Sequence, residues 1–81
     1  MTAKELFEEY GLNYEEVKHH GKIEQIIYSN GYKYSPIVIF TISNYSFKVC
    51  YDIDSASNID TDLLQAINKQ VEELGWNKEN K

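Results

Sequence analysis

Apolar and polar residues alternate along the middle of the chain, over residues 22–54. A period of two is typical of β-strands with one buried face. Asn30-Gly31 signals a two-residue type I′ turn, because that turn requires a positive φ at both central positions. A four-residue loop over residues 43–46 is the second turn signal. The pattern therefore predicts three antiparallel strands.

These two turns fix which residues share a face. The first pairs Tyr28 with Lys33 and Ile27 with Tyr34, and the second sets Ile42 opposite Phe47. The face predicted to form the core then collects Ile23, Ile27, Tyr34, Val38, Phe40, Ile42, Phe47, Val49, Tyr51 and Ile53. The opposite face collects Glu24, Ile26, Tyr28, Lys33, Ile37, Ile39, Thr41, Lys48, Cys50 and Asp52.

Pro36 leaves a second register open. Proline has no N–H for the hydrogen-bond ladder, so its place inside the second strand requires an irregularity, for example a bulge over residues 34–36. A bulge would turn the first strand over, so that Ile26 and Tyr28 face inward and Ile23 and Ile27 outward. The pairing of the second and third strands would be unchanged.

A helix is predicted at each end of the chain. Thr2 can cap the first, and Gly11 can end it in the left-handed conformation. Asp60 or Thr61 can cap the last helix, which Gly75 ends. Its predicted apolar stripe consists of Leu63, Leu64, Ile67, Val71 and Leu74. Residues 77–81 are expected to fray.

Residues 13–20 are predicted to form a second short helix, and a strand is the alternative. Asn13 and Glu16 have the spacing of a capping box, whereas a strand over residues 14–19 could turn at His20-Gly21 and become a fourth strand. In both cases residues 1–81 are predicted to form a single α+β domain. It has two layers: a three-stranded antiparallel sheet, or a four-stranded one, and N- and C-terminal helices packed on one face.

Composition narrows the classes of function. Cys50 is the single cysteine, so no internal disulfide forms, and a reducing, cytoplasmic location is expected. No membrane partner is expected. The net charge is −5 and arginine is absent, which argues against direct nucleic-acid binding. Ile, Asn, Lys and Tyr supply 31 of 81 residues. Because these residues have AT-rich codons, the sequence indicates a low-GC bacterium, phage or mobile element.

Chemical motifs are weak. Asp52, Asp54, Asn58 and Asp60 resemble part of a calcium loop, but its turn glycine and its bidentate glutamate are missing, so neither metal nor cofactor is expected. His19 and His20 are adjacent and would diverge by about 100° on a helix. No base accompanies Cys50 in the local sequence, so the protein is not predicted to be an enzyme.

An apolar centre inside a charged rim makes the second sheet face a predicted partner-binding surface. Its residues are Ile26, Tyr28, Ile37, Ile39, Lys48 and Cys50. The competing interpretation is that these β-branched residues only favour strand structure, or that the N-terminal segment covers them. A predicted acidic surface consists of Glu8, Glu9, Glu15, Glu16, Asp52, Asp54, Asp60 and Asp62.

These surfaces predict a small acidic protein that acts by binding a protein target, as a phage-type regulatory or accessory protein does. If the carboxylates converge, it could occupy the basic groove of a nucleic-acid-binding target as an inhibitor. The alternative is a structural homodimerisation module without an inhibitory role. A divalent-metal-binding protein or small enzyme is a third class, and its required residues are missing.

Overall fold

The computed structural model describes residues 1–51 and 59–76. Its elements are α1 (Ala3–Tyr10), β1 (Asn13–His19), β2 (Lys22–Ser29), β3 (Ile37–Thr41), β4 (Ser46–Cys50) and α2 (Thr61–Glu73). The strands form one antiparallel sheet in the order β1-β2-β3-β4, and both helices pack on the same face of it. The α+β two-layer prediction is confirmed, in its four-stranded form. The predicted frayed tail lies outside the described residues.

Both ends of α1 form as predicted. The Thr2 side chain accepts a hydrogen bond from the Glu5 N–H, and the Glu5 carboxylate accepts one from the Thr2 N–H, which completes a capping box. At the other end Gly11 adopts a φ of 104°, and the Leu12 N–H donates to the Phe7 carbonyl. Phe7 and Leu12, on either side of this helix end, are both buried in the core.

Asp60 caps α2 by accepting a hydrogen bond from the Leu63 N–H at 2.9 Å. Gly75 follows the helix with a φ of 78°, and the Trp76 N–H donates to the Val71 carbonyl. The predicted stripe is wrong at one position, because Leu64 is 46% exposed. The buried face is rotated toward Leu63, Ala66, Ile67 and Gln70.

Residues 13–20 form a strand and a turn, and the prediction of a short second helix is wrong. His20 and Gly21 have φ values of 54° and 78° between the paired residues His19 and Lys22. A positive φ at both central positions matches a two-residue type I′ turn, which joins β1 and β2 tightly. The sheet therefore gains β1 as an edge strand.

The predicted Asn30-Gly31 hairpin does not form. Among the described residues other than glycine, only His20 and Tyr45 have a positive φ, so Asn30 lacks the conformation that a type I′ turn needs. A seven-residue loop over residues 30–36 joins β2 to β3 instead. Pro36 is the last residue of this loop, so the missing N–H falls outside the strand.

Asn30 organises this loop through its side chain. Its Oδ1 accepts from the Tyr32 N–H at 2.9 Å, as in an Asx turn. Its Nδ2 donates to the Gly11 carbonyl at 3.0 Å and to Ser35 Oγ at 3.1 Å. The residue read as a turn former in the sequence thus connects the loop to the end of α1.

The longer loop changes the face assignment of β2. Tyr28 pairs with Val38 and Ile26 with Phe40, so both Ile26 and Tyr28 point into the core and are buried. Their assignment to the partner-binding surface is wrong. Ile27, predicted to be in the core, faces the opposite side beside Ile39. These faces match the alternative register raised by Pro36, although a loop rather than a bulge causes it.

The β3–β4 connection keeps the predicted faces in a shifted register. The four loop residues are 42–45, and Phe40 pairs with Phe47 and Val38 with Val49. The sequence predicts that Phe47 pairs with Ile42, but it pairs with Phe40 instead, which shifts the register by two residues. Because side chains alternate with a period of two, every side chain of these strands stays on its predicted face. Tyr45 closes the loop with a φ of 54°.

The core lies between the helices and the inward face of the sheet. Its buried cluster consists of Phe7, Leu12, Ile26, Tyr28, Val38, Phe40, Leu63, Ala66 and Ile67. Phe7 stacks on Tyr28 with ring centroids 3.8 Å apart. Three residues predicted for the core are substantially exposed, namely Ile23 at 38%, Phe47 at 43% and Tyr34 at 74%. Ile53 lies outside the described residues.

Candidate protein-binding surface

The sheet has one face without helices, and we call it the outer face. Its residues follow from the strand pairing and the alternation of side chains. They are Asn13, Glu15, Val17, Gln25, Ile27, Ser29, Ile37, Ile39, Thr41, Ser46, Lys48 and Cys50. Since α1 and α2 both pack on the core side, no described helix covers this face.

An apolar patch extends from the centre of the outer face to the end where β3 begins and β4 ends. Ile27, Ile37, Ile39 and Cys50 are each half-buried, and they lie on the adjacent strands β2, β3 and β4. Antiparallel sheets that face water on one side normally alternate apolar and polar residues. Here apolar side chains occupy several neighbouring outward positions, so the patch differs from an ordinary solvated sheet face.

One cross-strand row has an apolar centre and a charge at each end. Glu15 on β1 pairs with Ile27, Ile27 pairs with Ile39, and Ile39 pairs with Lys48 on β4. Neighbouring strands lie about 4.8 Å apart, so the two charged positions are separated by about 14 Å. This distance is too long for an ion pair within the chain. Neither charge has an ion-pair partner in the described part of the chain.

Four of the six predicted partner-binding residues therefore share one surface: Ile37, Ile39, Lys48 and Cys50. Ile26 and Tyr28 do not, and the structure places Ile27 and Glu15 in the same row as Ile39 and Lys48. The signal in the sequence that could have placed Ile27 on the outer face is Pro36. Because proline is excluded from the ladder of a central strand, β3 has to start after it, and the inward and outward residues of β2 then exchange.

The negative charge belongs to the helical layer, defined as residues 1–12 and 60–74. This layer contains two lysines, Lys4 and Lys69. Its seven acidic residues are Glu5, Glu8, Glu9, Asp60, Asp62, Glu72 and Glu73. The sheet region, residues 13–51, holds three glutamates and four lysines. The domain therefore has an acidic helical layer and a nearly neutral sheet layer.

The predicted acidic surface converges in part. Tyr10 at the end of α1 donates to Asp60 Oδ2 at 3.0 Å, which joins the α1 C-terminus to the α2 N-terminus. Glu9 and Asp62 line the hollow between these two helix ends. Glu8 lies on α1, whereas Glu15 and Glu16 lie on the edge strand β1. Asp52 and Asp54 lie outside the described residues.

Two tyrosines near these carboxylates are held in the neutral form. Burial raises the pKa of Tyr10 to about 12, and its hydrogen bond to Asp60 adds to the effect. Burial also raises the pKa of Tyr14 to about 12, together with its hydrogen bond to Glu16. Both phenols therefore act as hydrogen-bond donors, and neither is activated as a nucleophile or base.

Asp60 is the described residue among the weak metal candidates, and it has a structural role. Both Asp60 carboxylate oxygens accept hydrogen bonds, one from the Leu63 N–H and one from Tyr10. The His19 and His20 rings contact each other at the exposed β1–β2 turn. Within residues 1–51 and 59–76 no group of three His, Cys, Asp or Glu side chains could hold a metal ion. Asp54 and Asn58 lie outside this part.

A comparison of the chain with protein-family models, with curated proteins and with solved structures finds no match. Neither helix of the described chain is long and apolar enough to cross a membrane.

Proposed function

We propose that this protein is a small binding module that acts without catalysis and docks onto a protein partner through its outer face. The observation that carries the proposal is the one-sided packing of the helices. Both helices cover the core side, while Ile27 and Ile39 occupy the centre of the opposite side and Ile37 lies next to them. An apolar centre with a charged and polar rim is the usual anatomy of a protein–protein interface.

Energetics favour docking over permanent exposure of this face. Each square ångström of apolar surface removed from water contributes roughly 25 cal/mol, so covering the three isoleucines and Cys50 is favourable for a partner that matches their shape. Strand propensity alone does not require isoleucine on this face. Threonine has a similar preference for strands and exposes less apolar surface to water. The patch supplies binding energy, and the charges at its edge restrict which partner fits.

The acidic helical layer makes the surface that stays exposed after docking negatively charged. Because this layer lies on the side opposite to the apolar patch, one flat partner cannot contact both surfaces. Docking through the outer face leaves the carboxylates of α1 and α2 exposed, where they repel anionic ligands and attract basic ones. The proposed role is regulatory, through a net negative layer placed on the partner's surface, and the frequent use of Ile, Asn, Lys and Tyr, which have AT-rich codons, supports a phage or mobile-element accessory protein.

The test compares two variants that add the same charge to different layers. Ile39→Lys places an ammonium at the centre of the outer face, and Gln65→Lys places one on the exposed side of α2. Tagged versions are expressed in the source organism, crosslinked and captured, and crosslinked partners are identified by mass spectrometry with the sites of crosslinking.

We expect the parent and Gln65→Lys to crosslink through β2 and β3, and Ile39→Lys to lose those crosslinks while retaining the parent circular dichroism spectrum. Crosslinks that survive Ile39→Lys, or that map only to the helical layer, would show that the outer face is not the docking surface. Ile39→Thr is the second variant, because it keeps a β-branched side chain if Ile39→Lys fails to fold.

A further inference from the structure

We propose that the partner that fits the outer face is a second copy of this chain. In the proposed dimer the two sheets pack face to face, and a twofold axis runs parallel to the strands between β2 and β3. This inference rests on the proposed function, since it names the occupant of the same surface. It is carried by the order of charge along the middle row, Glu15, Ile27, Ile39 and Lys48.

The middle row is complementary to its own reverse. A twofold axis parallel to the strands places β1 of one copy over β4 of the other, and β2 over β3. Glu15 then faces Lys48 of the second copy, and Ile27 faces Ile39 of the second copy. Two charges that are about 14 Å apart within one chain each gain a partner across the interface. A self-complementary patch is what a twofold interface requires.

The charges also select this axis over the other face-to-face arrangement. An axis parallel to the sheet but perpendicular to the strands would place β1 over β1 and β4 over β4. Glu15 would then face Glu15, and Lys48 would face Lys48, and like charges across an interface are unfavourable. Both arrangements keep the strands of the two sheets roughly aligned, as sheets pack in sandwiches. The charge pattern therefore decides between them.

The dimensions of the face set the expected strength of the dimer. Four strands at about 4.8 Å spacing and five residues at about 3.3 Å rise give a face of about 19 by 16 Å. Stable interfaces bury about 800 Å² on each partner and involve about 20 to 30 residues a side. Twelve residues form the outer face. Association in the micromolar range is therefore expected rather than a permanent dimer.

Charge also explains why assembly stops at two copies. Face-to-face packing covers both outer faces and turns the two acidic helical layers outward, on opposite sides of the dimer. Each helical layer has seven acidic residues against two lysines, so further stacking through these layers is repulsive. The interface is closed by its own symmetry and leaves no outer face available for a third copy.

Sedimentation velocity of the purified full-length protein tests the pairing directly. The parent is measured from about 5 to about 500 micromolar, together with Glu15→Lys, Lys48→Glu and the variant that carries both changes. Each single reversal creates like charges at both ends of the middle row, and we expect it to weaken dimerisation about tenfold. The double variant exchanges the two charges, restores complementarity and should dimerise as the parent does.

Two controls separate the interface from other causes. Ile39→Lys should be monomeric over the whole range, and Gln65→Lys on the helical layer should leave the dimer unchanged. Raising the salt concentration should reduce the difference between the single reversals and the parent, because the charges lie at the edge of the face. Circular dichroism spectra of all variants test whether they fold as the parent does.

Several results would overturn the inference. A parent that stays monomeric at the highest concentration would exclude a second copy as the partner. If outer-face crosslinks to another protein are nevertheless found in the source organism, the proposed function stands and only the dimer is ruled out. A dimer that survives Ile39→Lys would use another surface. A double variant as weak as the single reversals would rule out the axis parallel to the strands. Absence of both dimer and crosslinks would remove the proposed function as well.

Discussion

The Tyr28 hydroxyl donates a hydrogen bond to Gln70 Oε1 across the core, with the two oxygens 2.6 Å apart. Tyr28 belongs to β2 and Gln70 to α2, so this bond connects the sheet to the C-terminal helix. Phe7 of α1 stacks on the same phenol ring. One tyrosine thus contacts both helices, and Gln70 is the one buried polar residue of the described chain.

We predict that Tyr28→Phe destabilises the protein by about 1 to 3 kcal/mol, because it leaves the Gln70 amide oxygen buried without a donor. In the described chain every buried side-chain polar atom has a hydrogen-bond partner, so the variant creates an unpaired one. Urea denaturation followed by circular dichroism measures the free energy of unfolding. Tyr32→Phe is the control, since Tyr32 is 73% exposed.

The double variant Tyr28→Phe with Gln70→Met isolates the bond itself. Removing both polar partners leaves no unsatisfied group, so its cost should be smaller than the sum of the two single substitutions. Additive costs would show that the two side chains stabilise the core independently of each other.

Alkaline pH should weaken the fold through its buried phenols. Burial raises the pKa of Tyr28 above its ordinary value, and it raises the pKa of Tyr10 and Tyr14 from 10.0 to about 12. The unfolded chain releases these protons near pH 10, whereas the folded chain retains them. Their stabilising contribution is therefore complete below pH 10 and is lost as the pH rises from about 10 to about 12.

Denaturation curves at pH 9, about 10 and about 11 measure this loss. The free energy of unfolding should fall across the series, and Tyr28→Phe should show a shallower fall because it removes one of the buried phenols. Equal slopes for the parent and Tyr28→Phe would mean that Tyr28 titrates alike in the folded and unfolded chains.

Local rules predicted the helix ends and the strands β2, β3 and β4, but neither β1 nor the connection between β2 and β3. The caps at Thr2, Gly11 and Asp60 depend on neighbouring residues, so the sequence contains all the information needed to place them. Asn30 is different, because its side chain bonds to the Gly11 carbonyl, which is distant in the sequence. A long-range contact replaced the local turn and exchanged the faces of β2.

The replacement of the predicted hairpin by a longer loop also explains why the outer face was predicted only in part. Alternation along β3 and β4 correctly grouped Ile37, Ile39, Lys48 and Cys50, since parity survives a shift of two in the register. The sequence assigns Ile27 to the core, because its face depends on the length of the loop that follows β2. The alignment of Glu15 and Lys48 at opposite ends of one cross-strand row depends on the position of β1, which the sequence leaves open.

Asn30→Gly tests the role of the loop directly. In a type I′ turn glycine is as suitable as asparagine, and the substitution would be nearly neutral. In this structure it removes side-chain bonds to Tyr32, Gly11 and Ser35, so we expect a loss of about 1 to 3 kcal/mol in the free energy of unfolding. His20→Gly is the matched control, because His20 does occupy a positive-φ turn position. It should be neutral or slightly stabilising, and the reverse order of the two effects would contradict the loop structure.

The packing of α2 separates Ile67 from Leu64, two residues of the same volume class on one helix. Ile67 is fully buried against the sheet, whereas Leu64 is 46% exposed. Truncation of a buried isoleucine or leucine to alanine costs about 2 to 5 kcal/mol, and total stability is about 5 to 15 kcal/mol for ordinary domains. A chain of 81 residues should lie near the lower limit, so Ile67→Ala is expected to be partly unfolded at 25 °C.

Leu64→Ala should retain the parent spectrum and lose less than about 1 kcal/mol in the free energy of unfolding, since substitutions of exposed side chains usually change stability little. Glu72→Ala, which removes an exposed ion pair with Lys69, should change stability by no more than about 0.5 kcal/mol. Chemical denaturation of the three variants, followed by circular dichroism, gives the order of their free energies of unfolding. Equal losses for Ile67→Ala and Leu64→Ala would mean that α2 is rotated about its axis relative to this structure. A tolerated Ile67→Ala would mean that the helix does not cover the core, because a helix detached from the sheet has no apolar contacts to lose there.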